Sequence, residues 1–109
     1  MNWIPLNSTD DLQNIAKKEN STFAIFKHST RCPISAAAKS RMEKSWEQEN
    51  PEIPVYYVDV IGNRDVSDKV AEHFSVTHQS PQLLLIKEDK CVYDASHTGI
   101  SPATVAKHK

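Results

Sequence analysis

Cysteine is scarce in this chain. Cys32 and Cys91 are the only two in 109 residues, too few for a disulfide scaffold. Long apolar runs are missing as well: no stretch approaches the roughly 20 residues that a membrane helix needs. The start, Met1-Asn2-Trp3-Ile4-Pro5, lacks the basic and apolar regions of a signal peptide. The expected location is therefore the cytoplasm. An excess of one charge is also lacking. A formal net charge of −1 gives no reason to expect nucleic acid or a membrane surface as partner. Five histidines (His28, His73, His78, His97 and His108) and two cysteines make no zinc-ligand spacing, so no metal site is expected. Repeats, low-complexity tracts and linkers are absent. With 39% hydrophobic and 25% charged residues, the chain reads as one globular domain spanning residues 1–109.

Hydrophobic periodicity supplies the elements. Trp3 to Leu6 reads as a short edge strand, because Pro5 would be awkward in a central one. Ser8 or Thr9 can cap a first helix, with Asp10 and Asp11 suiting its start. Leu12, Ile15 and Ala16 make its buried stripe, and it should end near Glu19-Asn20. Thr22 to Lys27 is a strand. A long helix should follow from Pro33 to about Gln48. In it Ile34, Ala38, Met42 and Trp46 form an apolar face, with Arg41, Glu43, Lys44 and Glu47 on the other side. Pro51 and Pro54 bound the next loop. Val55 to Val60 is a strand, Gly62-Asn63 a turn, and Val66, Val70 and Phe74 mark a third helix. Leu83 to Ile86 reads as a strand buried on both faces. A polar turn, Lys87 to Lys90, leads to a strand from Cys91 to Ala95. Gly99 breaks that strand, and Ser101-Pro102 opens a short closing helix. The order β-α-β-α-β-α-β-β-α implies an α/β domain, a mixed central sheet flanked by helices.

The chemistry concentrates in His28-Ser29-Thr30-Arg31-Cys32-Pro33-Ile34-Ser35, where a strand gives way to a helix. A sulfur at a helix start meets unpaired N–H groups and the positive end of the helix dipole, which favour a thiolate. Arg31, Lys27 or a protonated His28 could add positive charge. Pro33 suits the first helical position, where no N–H is needed. Two-thiol redox enzymes have Cys-x-x-Cys here, and this chain has Ser35 where the second thiol would stand. Ser35 follows Cys32 by about one helical turn. Its hydroxyl can donate to the sulfur or serve only as a polar first-turn group. It cannot form a disulfide, so an adduct on Cys32 must be cleared by an external thiol. Cys91 reads as a core or half-buried strand residue, and Trp46, Met42 and Phe74 as core.

The element order, with Cys-Pro opening the second helix, resembles the thioredoxin fold over nearly the whole chain. Proteins of that fold carry a cis-proline before the third core strand, facing the reactive Cys. Ser80-Pro81 occupies that place, and Thr98-Gly99-Ile100-Ser101 follows the usual ending. More narrowly, Phe26 to Ser35 looks like the monothiol bacilliredoxin family, whose site is of T-x-C-P-I-S type. Tyr57-Val58-Asp59-Val60 and His78-Gln79-Ser80-Pro81-Gln82 fit that family too.

This resemblance implies a monothiol thiol–disulfide oxidoreductase that removes bacillithiol from protein mixed disulfides by accepting it on Cys32. Pro33, Ser35, Arg31, Thr30 and His28 would support the site. Gln79, Ser80 and Pro81 would form a groove that pairs with an extended substrate chain. No tightly bound cofactor is implied, and bacillithiol is the thiol co-substrate. The implied partners are bacillithiolated proteins, bacillithiol, and another redoxin or a bacillithiol disulfide reductase. Two alternatives stay open. One is an iron–sulfur carrier resembling monothiol glutaredoxins, although those have Gly-Phe where this chain has Pro33-Ile34. The other is a non-catalytic adaptor that keeps the fold.

Overall fold

A computed structural model describes residues 1–17 and 21–109. Strand β1 is Trp3–Pro5, helix α1 Thr9–Ala16, strand β2 Thr22–His28 and helix α2 Pro33–Glu49. Strand β3 (Val55–Asp59), helix α3 (Arg64–Phe74) and strands β4 (Gln82–Lys87) and β5 (Lys90–Ser96) follow. A 3-10 turn (His97–Gly99) and helix α4 (Pro102–Ala106) close the chain. The five strands form one sheet in the order β1-β3-β2-β4-β5. β1 and β2 run parallel to β3, while β4 is antiparallel to both β2 and β5.

Local chemistry explains the boundaries. Ser8 caps α1, its Oγ accepting the Asp11 amide at 3.1 Å. The expected end of that helix at Glu19-Asn20 lies outside the described residues. Pro33 and Pro102 stand at the starts of α2 and α4. After β3, Asp59 Oδ1 accepts the amides of Ile61 and Gly62 at 3.0 and 3.2 Å. A Cβ on Gly62 would meet Asp59 Oδ2 at 2.9 Å, so a larger residue there would have to shift the carboxylate that holds the turn. The β4–β5 turn is tighter than the four residues expected. Lys87 and Lys90 are paired strand residues, and only Glu88 and Asp89 turn, with φ of 54° and 61°.

Each face of the sheet carries its own core. Leu12 and Ile15 of α1 and Val66, Val70 and Phe74 of α3 pack with Phe23 and Ile25 on one side. Ala38, Met42 and Trp46 of α2 and Val105 of α4 pack with Ala24 and Phe26 on the other. The alternation along β2 is the ordinary strand period of two. Leu83 to Ile86, read as buried on both faces, are fully buried.

Two expectations for α2 need correction. Ile34 is 47% exposed, whereas Ser35 is buried. Steps of four residues drift around a helix of 3.6 residues per turn, so Ile34 stands about 120° away from Trp46 and Ser35 only about 20°. Arg41 is half-buried rather than solvated: Nε donates to the Ile100 carbonyl at 3.0 Å and Nη2 to the His97 carbonyl at 2.9 Å. No helix among the described residues is long and apolar enough to cross a membrane.

Candidate active site

The C-terminal end of β2 and the N-terminal end of β4 meet in antiparallel register, Lys27 opposite Gln82. The loop that follows β2 carries Cys32, and the segment that precedes β4 carries Pro81, so topology brings the two to one end of the sheet. The Ser80–Pro81 peptide is cis, as the thioredoxin-like pattern implies. Cys32 is the N-cap of α2, a half-buried free thiol whose side chain makes no capping hydrogen bond. Its carbonyl accepts the Ala36 amide at 3.1 Å, and its amide donates to the Ser29 carbonyl at 3.2 Å. Its chain neighbours Thr30, Arg31 and Pro33 are exposed, as is Gln79 two residues before Pro81.

Ser35 does not serve Cys32 as one sequence reading expected. Its Oγ accepts the Ser29 amide at 3.0 Å and lies 2.6 Å from His28 Nδ1. A hydroxyl has one proton to give, and among the described residues His28 Nδ1 is the acceptor within reach. His28 then carries its own proton on Nε2. The pair is buried, which explains the difference: helix periodicity turns Ser35 toward the sheet, where β2 presents a ring nitrogen.

His28 is held neutral rather than cationic. Burial lowers its pKa below 6.5, and Lys39 pushes the same way, against the weaker influence of Asp59. The ring lies near those of Phe26 and Tyr57, with centroids 6.0 and 5.7 Å away. The consequence for stability has a definite sign. Between the lowered native value and 6.5, the unfolded chain binds more protons than the folded one, so stability rises with pH. The melting temperature should therefore fall as pH drops from about 7.5 to about 5, and His28→Gln should flatten that slope. His78, lowered by burial and by Lys27, adds a contribution of the same sign. An unchanged slope in His28→Gln would contradict the assignment.

Lys27 also departs from expectation. It points to the face opposite His28 and is fully buried, with Nζ 3.1 Å from His78 Nδ1. Burial lowers its pKa from 10.5 to about 8, against the opposing charge of Asp68. Its partner is therefore the segment before Pro81, through His78.

That segment is polar underneath. Gln82 is buried; its Oε1 accepts the Gln79 amide at 3.3 Å and its Nε2 donates to the Thr77 carbonyl at 3.1 Å. The Pro81 carbonyl accepts the His97 amide at 3.1 Å. Among the described residues no hydrogen bond engages the backbone of Ser80, and its buried Oγ has no partner. Sequence reasoning took Lys27 only as a charge near Cys32 and overlooked its contact with His78, along with the roles of Gln82 and Arg41. The available signal was a Lys and a Gln in strands that are otherwise apolar, Phe23-Ala24-Ile25-Phe26 and Leu83-Leu84-Leu85-Ile86.

Cys91 is half-buried on β5 and packs against the α1–α3 side core. Its Sγ donates to the Tyr93 carbonyl at 3.4 Å. Burial, with Asp94 second, pushes its thiol pKa up.

Comparison with known proteins agrees with this geometry. The family described as monothiol bacilliredoxin BrxC matches residues 4–105. One similar solved structure is of a protein described as having a thioredoxin fold and a proposed oxidoreductase role. It is 30% identical, with a TM-score of 0.85 over 97% of this chain and 92% of that one. Thioredoxin from Fasciola hepatica is 23% identical, with a TM-score of 0.74 over 97% of this chain and 99% of that one. Thioredoxin from Trypanosoma brucei brucei is 18% identical, with a TM-score of 0.76 over 98% of this chain and 87% of that one.

Proposed function

The chain belongs to the monothiol bacilliredoxin family, and from that membership we propose that Cys32 accepts bacillithiol from protein mixed disulfides. The observation that carries this reading is the position of Cys32: a half-buried, unbonded sulfur at the start of α2, at the sheet end that also holds Pro81. The Cys32 thiolate attacks the bacillithiol sulfur of a protein–bacillithiol disulfide. That S–S bond breaks, the protein leaves as its thiolate, and a Cys32–bacillithiol disulfide forms. A second thiol, from free bacillithiol or a partner redoxin, attacks the adduct and returns Cys32 to its reduced state. The two electrons come from that second thiol, and a bacillithiol disulfide reductase would restore the small-molecule pool. No resident cofactor is required. A reducing compartment, the cytoplasm, suits the cycle.

The groove roles follow from position. Thr30 and Arg31 rim the Cys32 side, and Gln79 and Pro81 flank the Ser80 backbone. Its unbonded amide and carbonyl suit pairing with an extended substrate segment.

Intact mass after exposure of the reduced protein to a panel of oxidised small thiols tests the reading. One bacillithiol per chain should add from bacillithiol disulfide, be retained in Cys91→Ser, and exceed the adducts from glutathione or coenzyme A disulfides. Equal adducts from all three would remove the thiol assignment. Absence of any adduct would remove the redox reading and leave the adaptor in front. Purified protein with a brown colour and visible absorbance would favour the iron–sulfur reading instead.

A further inference from the structure

Three consecutive residues before Ser80 are tied to buried or half-buried side chains beneath them. The Thr77 carbonyl and the Gln79 amide bond to Gln82. His78 lies between them, with Nδ1 3.1 Å from Lys27 Nζ and 3.3 Å from Ser67 Oγ of α3. Lys27 and Gln82 are direct cross-strand neighbours, with 0% and 1% of their surface exposed. Burying an amine and an amide is costly unless each is hydrogen-bonded. Apolar residues at both places would extend the runs beside them. Among the described residues, the hydrogen bonds of Lys27 Nζ and of the Gln82 amide all go to one segment, residues 77–79. That segment leads into Ser80, whose backbone has no hydrogen-bond partner among the described residues.

We propose that Lys27 and Gln82 are positioning residues that shape segment 77–81 from below, so that the unbonded Ser80 backbone faces an incoming protein chain. The kinetic part of this inference rests on the proposed function; the structural part does not. Neither residue touches the reacting sulfurs. Their effect falls on capture of a protein substrate, which needs the backbone of residue 80. A small disulfide needs only Cys32 and is spared.

The test uses the full chain and four variants. Lys27→Met keeps length and packing and removes the amine. Gln82→Leu does the same for the amide. His78→Leu removes the acceptor from the other side, and His78→Gln keeps a carbonyl there. With a bacillithiolated protein as substrate, the first three should raise KM roughly tenfold and leave kcat within about twofold. His78→Gln should stay near the wild type. Lys27→Met with His78→Leu together should cost no more than the worse single change, since the two act as one contact. Reaction of Cys32 with bacillithiol disulfide should be unchanged. A flat KM, a fall in kcat alone, or an equal loss with the small disulfide would overturn the inference.

Amide hydrogen exchange supplies a readout that does not depend on turnover. The His97 amide bonds the Pro81 carbonyl and so reports where that segment sits. It should exchange roughly tenfold faster in Lys27→Met and Gln82→Leu, while the amides of Ile25 and Leu84 in the paired strands keep their protection. Unchanged exchange at His97 overturns the inference even if the protein proves to be no reductase. Faster exchange with no turnover in the wild type would instead overturn the proposed function alone. Should Lys27→Met fail to fold, Gln82→Leu and the two His78 variants carry the same comparison.

Discussion

Replacing Cys32 with Ser should lower the rate of bacillithiol removal from a protein mixed disulfide by at least about a thousandfold, the scale expected when a covalent nucleophile is lost. A serine hydroxyl is not ionised near neutral pH and cannot form the S–S bond that carries the small thiol. Stability should change little. Cys32 is half-buried, lies outside both core clusters, and makes no side-chain cap. The measurement is the release of bacillithiol from a labelled protein under single turnover, beside a melting curve of the same sample. Cys91→Ser should retain the rate, because that thiol is occupied with the Tyr93 carbonyl on the edge strand. A Cys32→Ser protein that still turned over would end the nucleophile assignment.

Ser35→Cys should convert the site from one that keeps its adduct to one that expels it. The introduced thiol would stand three residues from Cys32, one turn along α2. It would attack the Cys32 sulfur of the adduct, form an internal disulfide and release bacillithiol as a thiolate. Intramolecular attack by a neighbouring group is strongly favoured over a bimolecular one. Without external thiol, the adduct population should therefore fall by more than about tenfold, replaced by a species two hydrogens lighter than the reduced protein. The variant gives up the hydroxyl that joins Ser29 to His28, a loss of about 1–2 kcal/mol in stability for a buried contact. A Ser35→Cys protein whose adduct persists would mean that the introduced sulfur stays turned toward His28.

Much of this was legible in the residues. The prolines and caps marked where helices begin, and Val66, Val70 and Phe74 marked the buried face of α3, because burial imposes a period on apolar residues. Cys32 and the cis Ser80–Pro81 bond followed from landmarks of a family pattern, and the family itself is now shown by the match over residues 4–105. What escaped were contacts between distant polar groups. Nothing local says that Lys27 reaches His78, 51 positions away, or that Arg41 reaches His97, 56 away. An arginine on a helix reads as solvated until the fold puts carbonyls in front of it. The sequence left the role of Ser35 open for a subtler reason. Its spacing from Cys32 is right for a contact, but burial turns the hydroxyl toward β2, and one short hydrogen bond to His28 settles its direction.

Arg41 also bears on the thermodynamics of binding. One guanidinium joins α2, the helix that begins at Cys32, to the carbonyls of His97 and Ile100. The His97 amide in turn holds the Pro81 carbonyl. The helix that opens at Cys32 and the segment that carries Pro81 are thus linked through residues 97–100. Under the proposed function, that linkage lowers the conformational entropy the protein must surrender when a substrate chain docks. More of the ordering cost of recognition then falls on the partner, which would favour mixed disulfides carried on stretches already extended before they arrive.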